Sequence, residues 1–138
     1  MKRTISLKLI LLQEHEGALQ ETQSVFSDAC NRIVPFAVTN RCWNSVDLHH
    51  HSYYTIREQL PSLGSQMACN AIKKVCSAYK VLKIQKSQDV KPITFRKNGS
   101  IHYDKRTYSL KGKDLSLFTV TGRIRCSFRI GPHQEQYL

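Results

Sequence analysis

The sequence predicts an α+β fold: a small antiparallel β-barrel with a three-helix bundle inserted after its first strand. Three observations predict it. Apolar residues alternate with period two near the start, at Ile5, Leu7, Leu9 and Leu11. Helical spacing then takes over, and period-two alternation returns after Pro92. A strand followed only by helices leaves its backbone groups exposed, and buried backbone groups must find partners. Pairing it with the late strands closes the sheet and turns the helices into an insertion. The expected boundaries are residues 1–12 with 90–138 for the barrel and 13–86 for the helical part.

The first strand spans about Thr4 to Leu12. Lys8 interrupts its apolar run, and Glu14, His15 and Glu16 follow without a small-residue cleavage site. The segment therefore reads as a half-buried strand and not a signal peptide. No stretch reads as a membrane span, and a cytoplasmic protein is expected.

The first helix runs from Glu14 to about Val38, with Leu19, Phe26, Ala29, Cys30 and Ile33 on one face. Gly17 and Pro35 weaken it near its ends. Asn40 to Asn44 forms a turn in which Trp43 is a packing anchor. Ser45 or Asp47 caps a second helix that continues to about Gln59. Its Leu48, Tyr54, Ile56 and Leu60 point inward; Arg57 and the run His49-His50-His51 point outward. Leu60 to Gly64 breaks the helix. The third helix runs from about Ser65 to Leu82. Met67, Ala68, Ala71, Ile72, Val75, Ala78 and Tyr79 form its buried stripe, and Gln66, Asn70, Lys73 and Lys74 its polar side.

Five strands are expected afterwards: Ile93–Phe95, Ile101–Tyr103, Tyr108–Leu110, Leu115–Thr119 and Gly122–Ile130. Turns at Asn98-Gly99, Asp104-Lys105, Gly112-Lys113-Asp114 and Thr121-Gly122 separate them. The last strand sets Arg123, Arg125, Ser127 and Arg129 against Ile124, Cys126, Phe128 and Ile130. One face must be buried, and the other must stay wet or meet anions.

The chain has 138 residues, 41% of them hydrophobic, with 21 Lys and Arg against 10 acidic residues and a net charge of +11. That content supports a core, and that charge points to a polyanion, nucleic acid before anionic membrane. The third helix begins with Ser65 and Gln66 beside free backbone N–H groups, a natural phosphate or base reader. Gln66 and Asn70, four apart, can each pair with adenine. Tyr53, Tyr54, Tyr103 and Tyr108 either stack on bases or pack in the core with a wet hydroxyl. The arginine strand and the start of the third helix are expected to wall a single cationic groove.

Chemistry of other kinds is poorly supported. Asp28, Asp47, Asp89, Asp104 and Asp114 are scattered, whereas a two-metal nuclease needs converging carboxylates. No Ser/His/Asp order, phosphate loop or dinucleotide fingerprint occurs. The cysteines Cys30, Cys42, Cys69, Cys76 and Cys126 contain no Cys-x-x-Cys pair, and the histidine run has no closed ligand set. The chain reads as a binder without a catalytic residue, metal or cofactor of its own.

Tyr54-Thr-Ile-Arg-Glu-Gln-Leu-Pro-Ser-Leu-Gly-Ser-Gln-Met-Ala-Cys-Asn-Ala-Ile-Lys-Lys-Val-Cys-Ser-Ala-Tyr-Lys80 resembles the N-terminal part of the TnpB (OrfB-type) transposon proteins, RNA-guided DNA endonucleases related to type V CRISPR effectors. Phe26-Ser-Asp-Ala-Cys-Asn31 resembles the same family's first recognition helix. Ser100-Ile-His-Tyr-Asp-Lys-Arg-Thr-Tyr-Ser-Leu110 and Leu115-Ser-Leu-Phe-Thr-Val-Thr-Gly-Arg-Ile-Arg125 resemble its strand segments, in the same order. The resemblance implies a wedge domain, a small oligonucleotide-binding-like barrel, interrupted by a helical recognition domain. It implies guide RNA and duplex DNA as partners, with the protein reading a short motif and base pairing reading the rest. It makes Tyr54, Ser65, Gln66 and Asn70 candidates for the motif side, and Lys73, Lys74, Arg106, Arg123 and Arg125 candidates for backbone contacts, with outward-facing Arg57 nearby. The family's RuvC-like nuclease domain, which uses divalent metal, would follow at about Gln136-Tyr-Leu138. Its acidic motifs and Cys-x-x-Cys pairs are not in this chain, so a truncated product, a split-gene piece or an excised domain is expected, without cleavage of its own. Two alternatives stand beside this: a subunit completed in trans by a separate RuvC-like polypeptide, and a non-cutting regulator bound at a transposon end.

Overall fold

The structure, a computed structural model, describes residues 4–131. The outermost ends of the expected barrel, residues 1–3 and 132–138, lie outside the described residues. The elements are β1 (Lys8–Ile10), α1 (Gln13–Asn40), α2 (Ser45–Gln59), a 3₁₀ turn (Pro61–Leu63), α3 (Ser65–Lys80), β2 (Tyr108–Lys111), β3 (Asp114–Leu117) and β4 (Ile124–Arg129). The class is α+β, and the three helices do lie between the first strand and the rest.

The strands form one antiparallel sheet in the order β1-β4-β3-β2. The N-terminal strand finds its partner as ladder accounting required, with Lys8 opposite Arg129, Leu9 opposite Phe128 and Ile10 opposite Ser127. In the β2–β3 hairpin Lys111 faces Asp114 across Gly112-Lys113. Gly112 has φ of 60° at the first turn position, a conformation glycine adopts without strain.

The sheet is open, which corrects the expected barrel. Residues 93–95 and 101–103 are not strands, and Asn98-Gly99 makes a turn without a hairpin. The physical reason is that side chains satisfy this stretch in place of a ladder. Asn31 bonds both backbone groups of Phe95. The Tyr79 hydroxyl donates to the Lys91 carbonyl at 2.9 Å and accepts the Ile93 N–H at 3.1 Å. Gln23 donates to the Gly99 carbonyl at 3.2 Å, and Asn70 to that of His102 at 3.1 Å. Residues 90–104 thus form a strap laid over α1 and α3. Gly99 sits so close to the Arg96 carbonyl that a Cβ would come within 3.1 Å of it.

The main core is helical. Phe26, Ile33, Leu48, Ile56, Leu63, Met67, Ile72, Val75 and Tyr79 are fully buried in it. Trp43 stacks on Tyr79 with ring centroids 5.9 Å apart, so it is the anchor its position suggested. Ile93, Phe95, Ile101 and Tyr103 of the strap pack on the same core. A smaller core under the sheet joins Leu117, Ile124 and Cys126 to Leu9, Leu11 and Leu19. Thr22 on α1 ties the two together: its hydroxyl accepts the Val120 N–H at 3.1 Å and donates to the Ala18 carbonyl at 2.7 Å.

Three local details differ from expectation. Asn44, not Ser45 or Asp47, caps α2, its side chain accepting from the N–H groups of Val46 and Asp47 at 2.9 and 3.3 Å. Tyr54 is 79% exposed and does not join the core. Helix α3 ends at Lys80 and not Leu82.

Candidate functional site

Candidate cations line two concavities that share no lining residue, Lys73 and Arg106 in one and Arg123 and Arg125 in the other. This corrects the single groove expected between the arginine strand and the third helix. The open sheet presents its outward face independently of the helices.

The first concavity, of about 600 Å³, lies between the starts of α2 and α3 and the turn before β2. Lys73, Arg106, Gln66, His49 and His50 line it. Gln66 is committed at both ends of its amide: it donates to the Asp104 carboxylate and accepts from Arg106 Nη1 at 3.2 Å. Asp104 in turn closes the turn before β2. Its Oδ1 accepts the N–H groups of Arg106 and Thr107 at 3.1 and 3.2 Å and the Thr107 hydroxyl at 3.0 Å. Burial alone would raise the Asp104 pKa, but the bonds from Thr107, Gln66 and Arg106 outweigh it and hold the carboxyl below its usual value.

An aromatic column rises from this wall along α2. His49 and Tyr53, one helical turn apart, stack at 4.3 Å with planes 15° apart. Tyr54 meets Tyr53 edge-on at 5.4 Å, and His50 meets His49 edge-on at 6.1 Å. The sequence alone places the histidines on an outward face without a closed ligand set. Their i, i+4 spacing to Tyr53 and Tyr54 was the signal for a ring column.

The second concavity, of about 560 Å³, lies on the outward sheet face and includes Ser109, Lys111, Asp114, Ser116, Arg123 and Arg125. The alternation of β4 places Arg125, Ser127 and Arg129 outward and Ile124, Cys126 and Phe128 inward, as read from the sequence. Ser109, Ser116 and Arg125 stand side by side across three strands, and Lys8 faces Arg129. Arg123 Nε donates to Ser116 Oγ at 2.6 Å.

The remaining candidates lie elsewhere. Asn70 is only 4% exposed, and its amide holds the His102 carbonyl, which leaves it no free edge for a base. Lys74 Nζ donates to the Ser100 carbonyl at 2.6 Å and lies over the rings of Phe26 and Phe95 at 5.7 and 5.5 Å. Both residues hold the strap. Ser65 is exposed at the first turn of α3, and Arg57 is half-buried on α2; neither lines the first concavity.

Among the described residues, no group of three or more His, Cys, Asp or Glu could hold a metal ion. No described helix is long and apolar enough to cross a membrane. Comparison of the chain with protein-family models, curated proteins and solved structures returns no match in any of the three.

Proposed function

We propose that this chain is a nucleic-acid-binding module, the N-terminal portion of a transposon-encoded RNA-guided DNA endonuclease that binds guide RNA and the DNA motif beside the target. The observation that carries nucleic-acid binding is the outward sheet face. Lys8, Lys111, Arg123, Arg125 and Arg129 are set there among Ser109, Ser116 and Ser127. Arginine forks and short hydroxyls suit phosphate oxygens, and a flat strand face lets a backbone approach closely. The transposon-family part rests on the segments 54–80, 100–110 and 115–125, and the order of one strand, three helices and an antiparallel sheet is in keeping with it. The reading assigns binding to this chain and cleavage to a nuclease domain outside it.

Fluorescence anisotropy with a labelled structured RNA and a labelled DNA duplex tests the binding. If three of these five cations each hold a phosphate, affinity falls roughly 40-fold between about 50 and 200 mM salt. Affinity that stays flat over that range sinks the proposal. Sequencing RNA that copurifies with the chain from its own cells tests the family part. Enrichment of transcripts from a transposon end supports it, and unenriched bulk RNA counts against it.

A further inference from the structure

We propose that the ring column on α2 is a stacking platform for unpaired nucleotides, so that the first concavity takes single-stranded nucleic acid in preference to duplex. The inference rests on the nucleic-acid reading above and adds the strandedness of the ligand at one of its two surfaces.

The outermost ring is not where folding would put it for its own sake, although Tyr53 beneath it packs on the helical core. Tyr54 is 79% exposed, so its ring gains little from burial in the folded chain. Yet it continues a contact series through Tyr53 to His49 and His50, the last two on the wall of the concavity. The column therefore begins inside a cationic cleft and ends in water. Lys73 and Arg106 supply the positive charge there, and the nearby Asp104 carboxylate is already hydrogen-bonded. Cations beside a row of rings match a phosphate chain whose bases are free to stack.

Strandedness follows from geometry. Inside a duplex each base face is covered by its neighbours, so away from the duplex ends only an unpaired base can lay a face on Tyr54. The two concavities differ on this point, because the residues lining the one on the sheet include no aromatic ring. That surface can hold a backbone of either kind, whereas the α2 surface adds a term available only to unpaired bases. Stacking is tolerant of sequence, since every base has a π-face. The commitment of the Gln66 amide to Asp104 and Arg106 fits this tolerance, because it removes the side chain best suited to read one base.

The test uses the full chain and labelled mixed-sequence DNA of about 12 nucleotides, single-stranded and as duplex, a length such surfaces span. Tyr54→Ala and His49→Ala should each weaken single-strand binding roughly 5- to 100-fold and change duplex binding less than about 2-fold. Tyr54→Phe, which keeps the ring, should restore single-strand binding. Equal losses on both ligands, or no loss on either, overturn the inference. If both ligands bind with steep salt dependence but the two alanine variants behave like the parent, the nucleic-acid reading stands and this inference alone falls. If neither ligand binds, both fall.

Discussion

Asn31 gives Phe95 both of the hydrogen bonds that a neighbouring strand would have supplied. Its Nδ2 donates to the Phe95 carbonyl at 3.0 Å, and its Oδ1 accepts the Phe95 N–H at 2.7 Å. A side chain on the first helix thus stands in for a strand, and this substitution keeps the sheet from extending into the strap. Asn31→Leu preserves the approximate volume and deletes both bonds. The expected loss in stability is about 1–3 kcal/mol, since half-buried backbone groups are left without partners. Urea unfolding measures the loss, and amide exchange should speed up at Phe95. Unchanged exchange there would show that the strap is held by other contacts.

Tyr79 makes the second attachment. Tyr79→Phe keeps the ring against Trp43 but removes the hydroxyl that bonds Lys91 and Ile93. About 1–3 kcal/mol of stability should again be lost. Because Tyr79 and Asn31 pin neighbouring residues, the double variant should lose measurably less or more than the sum of the two. Strict additivity in the unfolding series would mean that the strap is not one cooperative unit.

These two residues also mark where sequence reading stopped. The helices were legible because α1, α2 and α3 are long and strongly periodic, and the β1–β4 pairing followed from the need to satisfy an isolated strand. The strap was misread because Ile93, Phe95, Ile101 and Tyr103 do alternate in burial, but alternation reports which side chains face a core and not what the backbone bonds to. Its partners are amide and hydroxyl side chains as far as 76 residues away along the chain. Separations of 32 and 26 residues likewise hid the roles of Asn70 and Lys74. Helical spacing placed them correctly on the polar side of α3, and nothing local showed that the strap would cover that side. Arg123, Arg125 and Arg129 were legible because strand alternation alone decides their face.

Thiol chemistry should divide by burial. Burial pushes the Cys30 thiol up to about 12 and the Cys76 thiol up to about 11, and it raises Cys126 as well. Thiolate is the reacting species, so these three should resist modification in the native chain. Half-buried Cys42 and Cys69 should react first. Alkylation at mildly alkaline pH followed by peptide mapping reads the order. Early labelling of Cys30 would mean that α1 and α3 separate more readily than their packing implies.

On the sheet, Arg125 is exposed on the outward face beside Ser116. Arg125→Ala should weaken RNA and duplex DNA binding alike, without changing preference among sequences. It should also flatten the slope of log affinity against log salt by about 1, the signature of a single lost phosphate contact. Thermal stability should stay close to that of the parent, since the side chain is exposed. An altered sequence preference with an unchanged slope would mean that Arg125 meets a base edge.

Asp104 gives the chain an acid-sensitive joint between α3 and the sheet. Burial pushes its pKa up, and hydrogen bonds from Thr107, Gln66 and the backbone of Arg106 push it down further, so the folded value lies below the usual 3.8. The unfolded chain therefore takes up this proton more readily than the folded one, and stability rises with pH across the window. The contribution is fully present above about 3.8 and is lost as pH falls through the lower folded value. Asp104→Asn keeps the shape of the side chain and removes the titration. The stability difference between parent and variant in urea should be constant above about pH 5 and shrink as the pH falls below the unfolded pKa. Gln66→Ala removes one of the stabilising donors and brings the folded value closer to 3.8, so in that background the same difference should be smaller, and its loss, which begins at the same unfolded pKa, should be complete at a higher pH. A parent–variant difference that does not change with pH in this range would show that the charge on Asp104 does not hold the joint, and that the shape of the turn alone does.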